Sequence, residues 1–463
     1  MEKLSNLQKD LHALAGDAAA GNVMVGIGEN YLPAFVLALT ASHATSGLVQ
    51  SVPLLVGAVL QLAAPGLLRK FGSYRRWVVV CVAVQAAAFM PLAAAAVFPG
   101  FPVLLIFLMA ALYWGSGMAT GPAWNAWVGT LVPERIRARY FARRSLICQV
   151  GFLAGFLLGG FALQARVLGD SRLQTFALLF LIAAAARFIS VGFLSRHSEP
   201  LPPVEEPCSW RWHSMLQTLN EGGNGRTLLY LLGAQAAVQI SGPYFTPYML
   251  GHLEFSYARY AILVSIAYVA RIACLPVLGR LADRWGAQRL LWLGGTAIVP
   301  VAGLWLVSDS FYYLIFVQVI SGAAWATYEL AMFLLFFEHV PRQRRVAVLT
   351  VFNLFNAMAI VTGSVVGGCL LVVLGENRGA YFTLFLASTT VRAAALLLLA
   401  KLPSRTTSLA RLRPWLLRLP FASGHRPLRM AAGASPPMPL RQDALVRSPT
   451  LDFDPAGKKA TAA

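Results

Sequence analysis

The sequence contains few charged residues. Only 12% of its 463 residues are Asp, Glu, Lys or Arg, whereas a soluble domain averages about 25%. Hydrophobic residues make up 57% of the chain. Because the low charge extends over most of the length, the composition argues against a soluble fold and indicates a polytopic membrane protein.

Motifs of several functional classes are missing. The five cysteines are scattered without a CxxC pair, which argues against a disulfide framework and against a zinc site. The seven histidines form no HExxH or other metal-binding spacing, and there is no Walker loop. We therefore predict that the protein is not an enzyme, holds no metal or other cofactor and does not hydrolyse ATP.

Long apolar runs, in contrast, dominate the chain. A helix needs about 20 apolar residues to cross a hydrocarbon core of about 30 Å. Twelve such runs predict an all-α polytopic membrane protein with twelve transmembrane helices. The predicted bounds are 17–39, 45–68, 77–97, 102–131, 146–165, 173–194, 227–250, 257–278, 290–307, 311–337, 346–374 and 381–400.

A polar stretch divides these helices into two sets of six. Residues 196–226 are rich in proline and acidic residues, which predicts a cytoplasmic linker between an N-terminal bundle (17–195) and a C-terminal bundle (227–402). The basic tail (403–463) has no apolar period and is predicted to be disordered. The N-terminal segment (1–16) lacks the apolar core of a signal peptide, and its leucines at helical spacing predict a short helix on the membrane surface.

Basic residues outnumber acidic ones by 38 to 19, and their placement decides what this excess means. Loops after even-numbered predicted helices carry 18 Lys and Arg, whereas loops after odd-numbered helices carry about four. Membrane proteins retain their positive loops in the cytoplasm. We therefore predict no nucleic-acid partner and a topology with both termini in the cytoplasm.

Several features of the first half recur in the second. Residues 28–33, which begin with glycine and end with proline, match residues 242–247 at an offset of 214. Glycines 155, 159 and 160 match glycines 363, 367 and 368 at an offset of 208. Such regular offsets argue for two parallel halves. The matched Gly/Pro interruptions also point to a binding site, the alternative being kinks that serve packing.

One basic stretch of the second half, G-R-L-A-D-R-W-G-A-Q-R, predicts a tight turn between two membrane helices. Its Asp could accept hydrogen bonds at a helix start or pair with an arginine. The stretch resembles the signature loop of the major facilitator superfamily, Gly-x-Leu-Ala-Asp-Arg-x-Gly-x-x-x-Leu. That resemblance implies a conformational latch formed by Gly279, Asp283, Arg284, Gly286 and Arg289.

The resemblance covers about residues 17–401 and implies two six-helix bundles that open a central cavity to one side at a time. It also implies that helices 1, 4, 7 and 10 line the cavity. The first-half copy of the loop is degraded, because Arg69 replaces Asp and Pro65 replaces Gly. Glycines on helix 5 resemble a motif of antiporters in this family, but Phe156 replaces its proline, which favours a packing seam.

Ionisable residues inside membrane spans are costly and therefore point to function. Glu29 and Glu329 lie near the middle of helices 1 and 10, and Arg271 lies in helix 8. A low-dielectric environment favours the neutral form of a carboxyl group, which suits both acids to carry a proton. The alternative is a structural ion pair between one acid and Arg271. Arg187 and Arg392, in helices 6 and 12, are expected to extend to a membrane interface.

Polar and aromatic residues on the presumed cavity helices, together with an asparagine pair on helix 11, are candidates for substrate contact. An aromatic cavity with two acids suits an uncharged or cationic organic solute, and helix packing is the alternative role. The candidates are Asn30, Tyr31, Trp124, Asn125, Gln239, Tyr244, Tyr328, Asn353 and Asn356.

Together with the resemblance, these features predict a secondary active transporter of a small organic solute in the plasma (inner) membrane. Its expected partners are the solute, the lipid bilayer and protons, with coupling through Glu29, Glu329 or both. The alternatives are a facilitator that uses no ion gradient and a transporter-like receptor without flux.

Overall fold

The chain is almost entirely α-helical. The computed structural model describes residues 2–98, 100–131, 134–167, 171–199, 224–339 and 345–400, and none of these forms a β-strand. The predicted tail (403–463) and most of the predicted linker lie outside the described residues. Within the described part, eleven helices are long and apolar enough to cross a membrane. This agrees with the predicted all-α polytopic membrane fold.

The helices follow one another in two halves. The first half contains α1 (Glu2–Ile27), α2 (Leu32–Thr40), α3 (His43–Gln61), α4 (Ala64–Phe71), α5 (Tyr74–Ala87), α6 (Phe89–Val97), α7 (Val103–Leu131), α8 (Glu134–Ala165) and α9 (Arg172–Ser195). The second half contains α10 (Asn224–Ser241), α11 (Phe245–Pro247), α12 (Tyr257–Trp285), α13 (Ala287–Ile298), α14 (Pro300–Gly303), α15 (Phe311–His339), α16 (Arg345–Leu374) and α17 (Arg378–Ala400).

The seventh predicted helix is interrupted. After α10 the chain forms a 3-10 turn (Gly242–Tyr244), the short α11 and a π-helical turn (Tyr248–His252). Pro243 and Pro247 each remove a backbone N–H donor from this region, which prevents a regular helix. This interrupted helix is not among the eleven spans found in the described residues, and with them it completes two sets of six.

Two predicted boundaries near the first bundle are wrong. The segment 1–16 is not a separate helix, because α1 runs unbroken from Glu2 to Ile27 and already buries Asp10 and Leu14. The predicted basic loop before helix 5 is also helical, since α8 begins at Glu134. Alanine, arginine and glutamate are good helix formers, so a helix can extend well beyond its apolar run.

The predicted basic turn is shorter than expected. The helix α12 continues through Gly279 as far as Trp285, so the bend expected at Gly279 is wrong. The turn occurs at Gly286, whose φ of 83° is one that glycine adopts without strain. Arg284 is exposed on the last turn of α12, and Arg289 is exposed near the start of α13. The side chain of Asp283 lies outside the described residues, and its role as a latch stays a prediction.

The matched interruptions are present in both halves and they share one contact. Residues 29–31 and 242–244 both form 3-10 turns. The Tyr31 hydroxyl donates to the Phe156 carbonyl at 2.5 Å, and the Tyr244 hydroxyl donates to the Ser364 carbonyl. Each buried tyrosine therefore ties the interruption to the glycine-rich helix of its own half.

The repeated glycines allow very close helix approach, which confirms the predicted packing seam. A Cβ atom at Gly155 would lie 2.7 Å from the carbonyl oxygen of Val23, and one at Gly363 would lie 2.1 Å from that of Ala236. The glycine-rich helices also join the halves, because α8 packs on α12 and α16 packs on α3.

Gly363→Ala is expected to destabilise the protein by about 1–3 kcal/mol, because the new methyl group must push two helix backbones apart. Gly192 on α9 is the matched control, since a Cβ there meets no atom within 4 Å. Gly192→Ala is expected to be neutral or to gain about 0.5–1 kcal/mol from the lower entropy of the unfolded chain. Thermal unfolding of the two purified variants compares them. Equal unfolding temperatures would contradict the packing seam.

Two arginines lie inside the helical halves, contrary to the expectation that they extend to an interface: Arg392 is buried and the Arg187 side chain is 14% exposed. Arg187 Nε donates to Gln85 Oε1 at 2.8 Å. Arg392 is only 3% exposed and donates to the Ile298 carbonyl at 2.9 Å and to Ser241 Oγ at 3.0 Å. These acceptors offset the cost of burying the charge. Each arginine thus links the last membrane helix of its half to the third membrane helix of the same half. This shared contact is a further feature of the repeat, and the sequence analysis did not identify it.

Candidate functional site

A cavity of about 300 Å³ lies between the two halves, a volume at the lower end of small-molecule sites. Its walls come from α1 and α8 of the first half and from α12 of the second. Aromatic, apolar and polar side chains all contribute to these walls. The lining residues are Asn22, Cys148, Gln149, Phe152, Leu153, Tyr268, Arg271, Ile272 and Leu275.

The interruption between α1 and α2 positions Glu29. Its carboxylate Oε2 accepts a short hydrogen bond from the hydroxyl of Tyr113 on α7. Tyr113 is 4% exposed, and its ring packs edge-on against Phe89. A hydroxyl can donate to an ionised carboxylate and accept from a protonated one, so Tyr113 can serve both states of Glu29. The sequence analysis did not identify Tyr113.

The other two ionisable candidates contact each other. Arg271 Nη2 on α12 forms an ion pair with Glu329 Oε2 on α15. The ion pair named as an alternative in the sequence analysis is therefore present. Both side chains retain substantial exposure, 33% for Arg271 and 37% for Glu329, although both lie at membrane depth.

A polar network around the buried Asp17 joins three helices of the half that contains Glu29, namely α1, α8 and α9. Asp17 on α1 accepts from Ser190 Oγ at 2.6 Å and pairs with Arg144 at 3.4 Å. Arg187 Nη1 lies 3.9 Å from Asp17 Oδ1. Two arginines surround this one acid, so its charge is compensated. No periodic pattern in the sequence around Asp17 would have predicted this network.

Three aromatic substrate candidates are buried between helices. Tyr31 and Tyr244 are fully buried, with their hydroxyls bonded to backbone carbonyls. Tyr328 is 3% exposed and packs edge-on against Tyr230 and Trp325. In this conformation none of the three faces the cavity, and their positions agree with the packing alternative.

The remaining substrate candidates are dispersed. Asn30 Nδ2 donates to the Val25 carbonyl of its own helix at 3.0 Å. Trp124 stacks under the guanidinium of Arg144 at 4.3 Å, away from the lining residues. Gln239 and Asn356 are half-buried, Asn353 is exposed, and the side chain of Asn125 lies outside the described residues. Substrate contacts by these residues stay predictions.

The two ends of the bundle differ. The basic end carries the exposed arginines of the α4–α5 and α12–α13 junctions, and the opposite end carries the α2–α3 and α16–α17 turns. At the opposite end, Glu376 of the second half accepts from the backbone N–H groups of His43 and Ala44 of the first half, at 3.3 and 3.0 Å. His43 Nδ1 also bonds to the Tyr381 hydroxyl at 2.6 Å. We call this contact between the halves the His43–Glu376 clasp.

Two matched helical halves with a cavity between them, and with acids elsewhere at membrane depth, are typical of polytopic transport proteins. The sequence matches the family profile described as Major Facilitator Superfamily over residues 18–214 and 227–440. The chain belongs to the Major Facilitator Superfamily, which confirms the resemblance found in its basic turn. The protein is accordingly an integral membrane protein of a transporter family.

Solved structures of transporters show the same fold. The nucleoside transporter NupG has a TM-score of 0.65 at 14% identity and covers 85% of this chain and 100% of its own. A POT family transporter in complex with 5-aminolevulinic acid has a TM-score of 0.63 at 14% identity, with coverages of 84% and 96%. A bacterial homologue of the human lysosomal transporter Spinster has a TM-score of 0.60 at 14% identity, with coverages of 84% and 94%. A comparison with curated proteins finds no match.

Proposed function

We propose that the protein is a secondary active transporter of a small organic solute, driven by protons that bind to Glu29. The observation that carries this proposal is the placement of Glu29 at a helix interruption at membrane depth, bonded to the buried Tyr113 hydroxyl. An acid at such depth is costly unless it serves a function. Glu329 is the second proton candidate, but Arg271 already compensates its charge.

The position of the cavity between the two ends supports a proposal for the direction in which it opens. The cavity lies on the basic-end side of the Tyr31–Tyr260 ring contact, and the His43–Glu376 clasp holds the opposite end together. Positive loops stay in the cytoplasm. We therefore propose that the basic end and both termini are cytoplasmic, in the plasma (inner) membrane, and that this conformation faces inward.

Transport in proteoliposomes tests the proposal. A screen of the purified protein for thermal stabilisation by a solute library first supplies a ligand. Uptake of that ligand is then measured with and without an imposed pH gradient. A proton-coupled transporter accumulates the solute against its own gradient, and a protonophore abolishes the accumulation. Equilibration without accumulation would identify a facilitator instead.

Deletion of the tail distinguishes a transporter from the alternative, a receptor without flux. Deletion of residues 403–463 is expected to leave the rate of solute flux within about twofold of the full chain, because the transport path lies within the helical halves. A receptor would bind the same solute without flux, whether or not the tail is present. Binding without flux by both proteins would overturn the proposed transport activity.

A further inference from the structure

The Arg271–Glu329 pair is only partly buried, unlike the buried Arg392 of the same half. Arg392, in the same half, is 3% exposed and bonds to backbone carbonyl and hydroxyl oxygens. Arg271 and Glu329, in contrast, leave about a third of each side chain accessible, and Arg271 lines the cavity. The pair therefore meets the cavity through Arg271, and the partly exposed carboxylate of Glu329 lies directly behind it in the ion pair.

Coulomb attraction determines which solutes such a pair accepts. In surroundings of low dielectric constant, a solute with one charge attracts one partner and is repelled by the other. Drawing either partner away also leaves the second charge uncompensated at membrane depth, which is costly. A solute that carries both an ammonium and a carboxylate group can pair with both partners at once.

We propose that the Arg271–Glu329 pair is the recognition site for a zwitterionic solute, whose carboxylate binds Arg271 and whose ammonium group binds Glu329. This assignment rests on the proposed transport function and names its substrate class. Arginine binds carboxylates in a two-pronged geometry, which fixes the orientation of the solute. The uncharged part of the solute lies against Phe152 and Tyr268, whose ring centroids are 4.6 Å apart.

Cys148 provides a reporter of occupancy, because it lines the cavity and is partly exposed. The full-length protein is alkylated with N-ethylmaleimide, and the modified peptides are quantified by mass spectrometry, with the exposed Cys369 as an internal control. The probes are leucine and dialanine, each compared with its amide, which is a cation, and its N-acetyl form, which is an anion. These probes differ in charge while the carbon skeleton stays nearly constant.

At a concentration of about ten times its Kd, a zwitterion is expected to slow alkylation of Cys148 about tenfold and to leave Cys369 unchanged. The amide and N-acetyl forms are expected to protect at least about thirtyfold more weakly, because each leaves one charge of the pair unmatched. Arg271→Gln and Glu329→Gln are each expected to raise the half-protecting concentration by a similar factor. The wild-type comparison does not depend on whether these variants fold.

Equal protection by all three charge forms, or no protection by either zwitterion, would overturn the assignment. Proteoliposome flux of a solute that carries a single charge or none would also overturn it and leave the transport proposal intact. Conversely, zwitterion protection without any flux would support the site and contradict transport. The two proposals therefore fail in distinguishable ways.

Discussion

Glu29→Gln is expected to abolish solute accumulation driven by a pH gradient while preserving solute exchange without a gradient. With one proton per solute, a gradient of one pH unit gives about tenfold accumulation, because about 1.4 kcal/mol corresponds to a factor of ten. Glutamine mimics the protonated acid and can still bond to the Tyr113 hydroxyl, but it cannot release a proton. The accumulation ratio of the variant is therefore expected to fall to about one.

The experiment measures both activities in the same proteoliposomes, so that a folding defect cannot imitate loss of coupling. Glu254→Gln is the matched control, since Glu254 is an exposed acid near the start of α12, outside the cavity. It is expected to accumulate solute as the wild type does. If Glu29→Gln still accumulates solute, the same measurement on Glu329→Gln shows whether the second acid carries the proton. Accumulation in both variants would contradict proton coupling through Glu29 or Glu329.

The membrane fold could be predicted from the sequence because a bilayer imposes simple requirements on the segments that cross it. Each span must be apolar for about 20 residues, and its loops must be polar, so the approximate positions of the spans and their division into two sets follow from composition. The interruptions at Gly28 and Gly242 were visible because glycine and proline mark breaks in any helix. The helix ends were less accessible, since α8 and α12 extend beyond their apolar runs by several residues.

Contacts between distant side chains were the part that the sequence could not supply. Tyr113 reaches Glu29 across 84 positions, and Glu376 reaches Ala44 across 332. Such pairs depend on how each helix is rotated about its axis, and apolar composition does not determine that rotation when lipid and protein neighbours are equally apolar. Arg187 and Arg392 did carry a usable signal, because they occupy corresponding positions in the last helix of each half.

Glu376→Gln is expected to weaken the closed state of the opposite end. Glu376 supplies the carboxylate of the His43–Glu376 clasp. This carboxylate accepts hydrogen bonds from two backbone N–H groups at the positive N-terminal end of α3. Hydrogen bonds to a charged group contribute about 1.5–3 kcal/mol each, so loss of the charge is expected to raise the ratio of open to closed molecules about tenfold or more. The contact of His43 with Tyr381 remains in the variant and limits the effect.

Distances between spin labels at Val97 and Val307 measure this opening in protein whose native cysteines are replaced by serine. Both positions are well exposed, at 54% and 69%, and they lie in different halves at the opposite end. The wild type is expected to show mainly the short distance and Glu376→Gln a larger population of long distances. Glu254→Gln, an acid of the same end outside the clasp, is expected to resemble the wild type.

The backbone at Glu376 allows a sharper version of this test. Its φ of 52° lies in the left-handed region, which costs a non-glycine residue about 1–2 kcal/mol. Glu376→Gly relieves that strain but removes the carboxylate. If the residue served only the turn, glycine would leave the closed state at least as populated as in the wild type. If it serves the clasp, glycine opens the end in spite of the relieved strain. A closed Glu376→Gly variant would therefore contradict the clasp, even if Glu376→Gln opened as expected.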